Sequence, residues 1–228
     1  MAADYPQCGK CSIKKPDRLC VNPNGKAPKF CPTKNCEPTV QRALDEMRKP
    51  EIRDFVRNAG IQEAEGYGNR ELGPGHIKPI KPRIQETIEF AHKMGYRRLG
   101  LVFCLGLADE ARKVERLLCD SGFEVVSGCC KLGRKPKEEI GLTEEQKVRP
   151  NQFEPMCNPI AQAFVLNEGH SEFNILMGLC VGHDSMVFKY AEAPCTVLVA
   201  KDRLLGHNPI AAIYTLDSYY KSLKPGNR

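Results

Sequence analysis

Residues 97–130 read RRLGLVFCLGLADEARKVERLLCDSGFEVVSGCC, and they decide the fold. The run RRLGLVFCLG is short, continuously apolar and suited to a strand buried on both faces. LADEARKVERLLCDSG then spaces its apolar residues for a helix, and FEVVSGCC returns to strand texture. Strand, helix and strand in that order form a right-handed βαβ unit with parallel strands. The pattern continues downstream. A charged insertion, residues 131–150, fits a lid or docking surface. After it come a helix opened by CNPIAQA (157–163), a strand in FNILMGLCVG (173–182), a short helix from HDSMVFKYA (183–191) and a strand in CTVLVA (195–200). The expected fold is α/β, with a mainly parallel Rossmann-like or flavodoxin-like sheet of about four strands.

Two other textures precede it. Residues 1–37 carry Cys8, Cys11, Cys20, Cys31 and Cys36 among Lys, Pro, Asn and Gly, with almost nothing to bury. Such a segment needs a staple to be ordered. Residues 38–97 read as helices and a linker. Val40, Ala43, Leu44 and Met47 share a helical face, Pro50 interrupts it, and a second helix ends before Gly60. Residues 61–80 are a Gly/Pro-rich connection, and Ile84, Ile88 and Ala91 mark a helix closed by Gly95. The expected organisation is a cysteine-rich metal-binding module at 1–37, a helical segment and linker at 38–97, and an α/β domain at 98–228.

The chain has 228 residues, 41% of them hydrophobic, enough for a core of ordinary size. MAADYPQCGK lacks the apolar stretch of a secretory signal, and no apolar run approaches the ~20 residues that cross a bilayer. A cytoplasmic protein with no membrane partner is expected. The net charge of +6 comes without a run of five like charges and without Trp, so it reads as a solvated basic face and not as a nucleic-acid platform. Twelve cysteines in a cytoplasmic chain point to metal ligands or redox chemistry before disulfides.

In an open parallel sheet, ligands bind beyond the carboxyl ends of the strands. Cys104 ends the first strand, Cys129 and Cys130 the second, and Cys180 the third. The phrases CNPIAQA (157–163) and HNPIAAI (207–213) both read as helix starts, with Asn as cap and Pro in the first turn. They bring Cys157 and His207 to the same rim. His183 opens a helix there, and Lys201 and Arg203 follow the last strand. Cys119 and Cys195 read as buried small hydrophobes.

Clustered thiolates suit zinc or an iron–sulfur cluster, not magnesium or calcium. The rim is read as an iron–sulfur site, with a 4Fe-4S cluster favoured, held by three or four of Cys104, Cys129, Cys130, Cys157 and Cys180 with His207 beside them. Which of Cys129 and Cys130 is a ligand stays open. His183 is placed for proton transfer, and Lys201 or Arg203 for neutralising a substrate. The N-terminal spacing C-x2-C-x8-C-x10-C, with Cys36 following, reads as a second iron–sulfur cluster or a zinc site. The stretch GLCVGHDS offers an anion contact but lacks the spacing of a dinucleotide or P-loop motif. No G-x-S-x-G or H-E-x-x-H is present.

The N-terminal CxxC, CPTKNC, FCLGLADEA, SGCCKLG, MCNPIAQAFVLN, NILMGLCVGHDS and KDRLLGHNPIAAIY together cover almost the whole chain. In them the sequence resembles a family of cysteine-rich proteins of anaerobes, the domain of unknown function 1847 family, described only as metal-binding. The resemblance implies metal binding and an anaerobic setting and names no reaction. The expected function is a metal protein with redox or sulfur-transfer chemistry at the rim, its partner a redox protein or a small acidic or sulfur-containing substrate. One alternative is a non-catalytic electron carrier or metal-binding partner protein. Another is a zinc-stapled thiol redox or anion-binding protein. A homodimer is compatible with each, and whether the protein is an enzyme stays open.

Overall fold

The computed structural model describes residues 5–226, which divide into two compact units parting between residues 65 and 66. In the first unit, none of residues 5–61 is buried. Two short 3-10 turns, Cys8–Lys10 and Lys15–Asp17, lead to a single helical turn α1 (Pro32–Asn35), then α2 (Glu37–Met47) and α3 (Pro50–Glu65). Pro32 and Pro50 each open a helix, where a missing N–H costs nothing. Gly60 does not end α3 as the sequence suggested. The helix runs through it to Glu65, because a glycine inside a helix is costly but tolerated and no left-handed turn follows it.

The second unit opens with a small antiparallel ladder, β1 (Tyr67–Gly68) against β2 (Lys78–Pro79), within the stretch expected to be a plain connection. Helix α4 (Arg83–Lys93) follows, and Gly95 beyond it takes φ +70°, the left-handed turn expected of a closing glycine. Then come β3 (Arg98–Phe103), α5 (Ala108–Asp120), β4 (Glu124–Cys129), α6 (Pro159–Glu168), β5 (Phe173–Met177), α7 (His183–Tyr190), β6 (Cys195–Val199) and α8 (Ile210–Tyr214). The strands β3 to β6 form one sheet in the order β4-β3-β5-β6, every pairing parallel. In chain order that is 2-1-3-4, the flavodoxin-like arrangement, whose topological switch lies between β3 and β5.

Leu99, Leu101, Val102, Ile175 and Leu176 are completely or almost completely buried, as expected of central strands covered on both faces. Val102 and Leu176 join Ala163 and Leu166 of α6 and Val187 of α7 in one cluster. Phe90 of α4 packs on Phe173 with ring centroids 5.5 Å apart. At the outer edge, the Arg83 guanidinium donates to the Val197 carbonyl at 2.7 Å and to the Thr196 hydroxyl at 2.9 Å. Buried Asn174 accepts from the Ser171 hydroxyl at 2.7 Å, so its polarity inside the core is matched.

Gly178, directly after β5, takes φ +64°. A Cβ there would fall 2.2 Å from the Leu107 side chain, so only glycine turns the chain at this point. Cys119, expected inside, is exposed: it faces outward on α5, whose buried residues are Ala111 and Leu118. Cys195 is half-buried at the opposite end of the sheet, and burial pushes its thiol pKa up.

Candidate functional site

The carboxyl end of β3 is tied to those of β5 and β4 before any side chain is considered. The Cys104 amide donates to the Met177 carbonyl at 3.1 Å, and the Cys130 amide to the Phe103 carbonyl at 2.8 Å. The Asn158 amide donates to the Cys130 carbonyl at 2.8 Å, which docks the start of α6 on the end of β4. Asn158 caps α6 through its side chain, accepting from the Ala161 amide at 3.0 Å. Three segments distant in sequence thereby deliver Cys104, Cys130 and Cys157 to one cavity.

The three thiols interact. Cys130 is buried and hydrogen-bonds with both Cys104 and Cys157, while the Leu105 amide donates to its sulfur at 3.3 Å. The hydrogen bond from Cys130 brings the Cys104 thiol down to about 4, helped by the Lys201 ammonium and the Gly106 amide and opposed by burial. The same donor brings Cys157 down to about 5, with the charges of Lys131 and His183 adding to it against burial. Cys130 moves the other way: two thiolate neighbours and burial hold its proton on. One S–H serves one neighbour at a time, so the triad is a thiol between two thiolates that share its hydrogen bond.

Around the triad lies a cavity of about 530 Å³ whose wall includes Cys104, Cys130, Cys157, Cys180, His183 and Arg203. Arg203 donates to the Cys180 sulfur at 2.9 Å. The insertion supplies the opposite wall with Ile140, Leu142 and Val148. It is held by a Lys137–Glu154 ion pair at 2.5 Å and by Lys147, whose side chain is 2% exposed and pairs with Glu138 and Glu144. Lys131 reaches the Pro155 carbonyl at 2.5 Å.

The candidates expected from the sequence separate here. Of the vicinal pair, Cys130 joins the triad and the wall of the cavity, whereas Cys129, the last residue of β4, lines neither. His207 lies outside the lining: with φ +64° its Nδ1 accepts from the Asp202 amide at 3.1 Å, tightening the loop that carries Lys201 and Arg203. The two Asn-Pro phrases are therefore not equivalent. Asn208 makes no side-chain cap, since α8 begins after Pro209 and the Asn208 carbonyl, not its side chain, accepts from Ala211. Two residues that the sequence reading passed over belong to the site. Lys131 follows Cys130 directly. Gln162 is fully buried on α6 and donates to the Gly128 carbonyl at 2.8 Å and the Phe103 carbonyl at 3.2 Å, bracing the two strand ends. An uncapped amide on the apolar face of CNPIAQA was the signal for it.

In the first unit, Cys8, Cys11, Cys20 and Cys31 line one smaller cavity of about 140 Å³, and Cys36 does not. Desolvation raises the Cys31 thiol, but the amides of Lys34 and Thr33 and the Thr33 hydroxyl outweigh it, and the pKa falls below the ordinary value.

Whether these donors suit a metal follows from their chemistry. Three soft sulfurs, two of them ionised and a fourth in the same cavity, fit zinc or iron–sulfur ligation and fit no hard cation. Among the described residues no group of three or more His, Cys, Asp or Glu side chains is drawn together as a ready-made cage. No helix among them is long and apolar enough to cross a membrane.

Comparison with known proteins agrees with the resemblance in the motifs. The chain is 38% identical over 200 residues to an uncharacterised protein of Methanocaldococcus jannaschii, covering 87% of this chain and 95% of that one. A family profile described as a protein of unknown function, DUF1847, matches residues 31–198, from the last cysteine of the N-terminal cavity to the end of the sheet. With most of its length matched in this way, the chain belongs to the DUF1847 family.

Proposed function

We propose that the rim is a cytoplasmic soft-metal centre in which Cys104, Cys130 and Cys157, with Cys180 in the same cavity, hold an iron–sulfur cluster, and that redox or sulfur-transfer chemistry occurs there. One observation carries this reading: three thiols from three separate segments, anchored by backbone hydrogen bonds at Cys104, at Cys130 and at Met156 and Asn158 on either side of Cys157, come together at the strand ends beside lysines. When bound, such a cluster supplies electron transfer or a Lewis-acidic iron for a substrate sulfur or oxygen. Lys201 and Lys131 offset the thiolate charge, and Arg203 orients the Cys180 sulfur. His183, at the first turn of α7 and on the cavity wall, is the group placed to exchange a proton with a bound substrate. The insertion gives the cavity an apolar lip that stays open to solvent at Ile140 and Val148, and the cationic wall suits a small acidic or sulfur-containing substrate or an acidic face of a redox partner.

A second reading is thiol–disulfide chemistry without metal, favoured by the hydrogen bonds from Cys130 to both neighbours. One experiment separates the two. Protein purified without oxygen is assayed for iron, acid-labile sulfide and visible absorbance, beside Cys104→Ala and Cys157→Ala. The cluster reading expects iron and sulfide in matching amounts, reduced in both variants. A colourless protein whose iron content is indifferent to these variants, and which forms a Cys130 disulfide with a mild disulfide oxidant, would establish the second reading.

A further inference from the structure

We propose that Cys8, Cys11, Cys20 and Cys31 bind a single divalent metal ion of the zinc type in a closed structural site, from which Cys36 is excluded. This stands independently of the reading of the rim. The four side chains, from three different places in the first 31 residues, line one cavity of about 140 Å³. Each occupies backbone that is already fixed. Cys8 and Cys11 share a 3-10 turn closed by the Cys11 amide on the Cys8 carbonyl at 3.1 Å, which presents two sulfurs from one knuckle. Cys20 sits in a loop tied across its neck by Leu19 to Lys26 at 2.9 Å and Lys26 to Asp17 at 2.7 Å. That neck is so close that a Cβ on Gly25 would lie 2.5 Å from the Arg18 backbone. Arg18 joins loop to knuckle, donating to the Ile13 carbonyl at 2.7 Å and the Cys11 carbonyl at 3.4 Å. Cys31 stands at the N-terminus of α1.

Four thiolates around a divalent ion carry a net charge of two minus, and Arg18 and Lys26 line the same cavity with two positive charges. Leu19, Pro28 and Phe30 complete the wall with apolar surface, while Cys8 and Cys20 remain exposed on its outer side. Cys36 precedes α2 and does not line this cavity, which is what sets it apart from the other four. The sulfurs line the wall without being drawn into a cage, and closing on the ion is the step that binding supplies. An ordered segment with no buried residue has need of that step. A closed set of four sulfurs leaves no open coordination position, so the site is structural.

The test uses the full chain, expressed with zinc and purified without oxygen, with metal counted per chain and the thiolate-to-cobalt absorption read after exchange with cobalt(II). The Cys20→Ser and Cys31→Ser variants should lose one equivalent of ion and most of the cobalt band. Cys36→Ser should keep both, and so should Cys157→Ala, which separates this site from the rim. Chelation of the wild-type chain should open residues 5–36 to protease, and added zinc should restore protection. Loss of the ion in Cys36→Ser equal to that in Cys20→Ser would overturn the assignment. So would iron and sulfide that depend on Cys20, or protease sensitivity that ignores chelator. Melting of the α/β unit in each variant guards against a general folding failure.

Discussion

The sulfurs at the rim and those in residues 5–36 are placed by different means. At the rim, β3, β4 and α6 are complete elements with a buried cluster of their own beneath Cys130, and the thiols ride on their ends. In the N-terminal unit the cysteines stand in turns held by a few backbone hydrogen bonds and Arg18, over no core at all. A fold that is already stable can bring cysteines together for chemistry, including one that stays protonated. A segment without a core has to use its cysteines for order. The first arrangement should survive loss of metal and the second should not.

The largest expected effect tests that contrast directly. Chelation should abolish protease protection of residues 5–36 while the melting transition of the α/β unit stays in place, as followed by limited proteolysis and calorimetry together. If both units lose structure together, the contrast is wrong. Next in size, Ile175→Ala removes a fully buried side chain between the two faces of the sheet. It should destabilise the α/β unit by about 2–5 kcal/mol in urea, leaving the N-terminal ion in place.

Gln162→Leu should cost less, about 1–3 kcal/mol, because the carbonyls of Gly128 and Phe103 lose a buried donor. Its second consequence is more telling. Loosened strand ends should weaken metal retention at the rim more than Ala substitution of Cys129 does.

The smallest expected change concerns pH, in metal-free protein. A thiol of ordinary pKa loses most of its thiolate between pH 8 and 6, roughly a hundredfold in alkylation rate. Cys104 and Cys157, held at about 4 and about 5, should stay reactive across that interval, and peptide mapping after iodoacetamide treatment would show it. The same shifts fix the sign for stability. A depressed pKa contributes stability that is complete above the unfolded value and is lost as pH falls toward the folded one. Cys130, protonated in both states below its unfolded value, adds no slope there. Metal-free protein should therefore melt lower at pH 5 than at pH 8. A flat profile would mean that the triad is not ionised as described.

The βαβ frame was legible because strand and helix texture alternate with little ambiguity from residue 97 onward, and the ends of strands could be read as a rim. The cap at Asn158 was legible for the same local reason. What escaped depends on rotation and on partners distant in sequence. Cys129 and Cys130 are adjacent, and only the pairing of β4 with β3 decides which one turns toward the cavity. Asn208 follows the same rule as Asn158, but the left-handed turn at His207 moves the helix start past Pro209. The outward face of Cys119 follows from how α5 rolls on the sheet, which its apolar pattern only half specifies. Lys131 and Gln162 act on carbonyls and thiols that come near only after folding.

The contacts of Arg83 at β6 bear on association. A bare edge strand offers its backbone as a template for another chain, and stacking of sheets edge to edge is the usual hazard of open α/β layers. Here the guanidinium occupies the Val197 carbonyl and the Thr196 hydroxyl, placing a positive charge where an incoming strand would have to dock. Self-assembly by strand addition along β6 would first have to dislodge the start of α4. Pairing of two copies through that edge is thereby disfavoured.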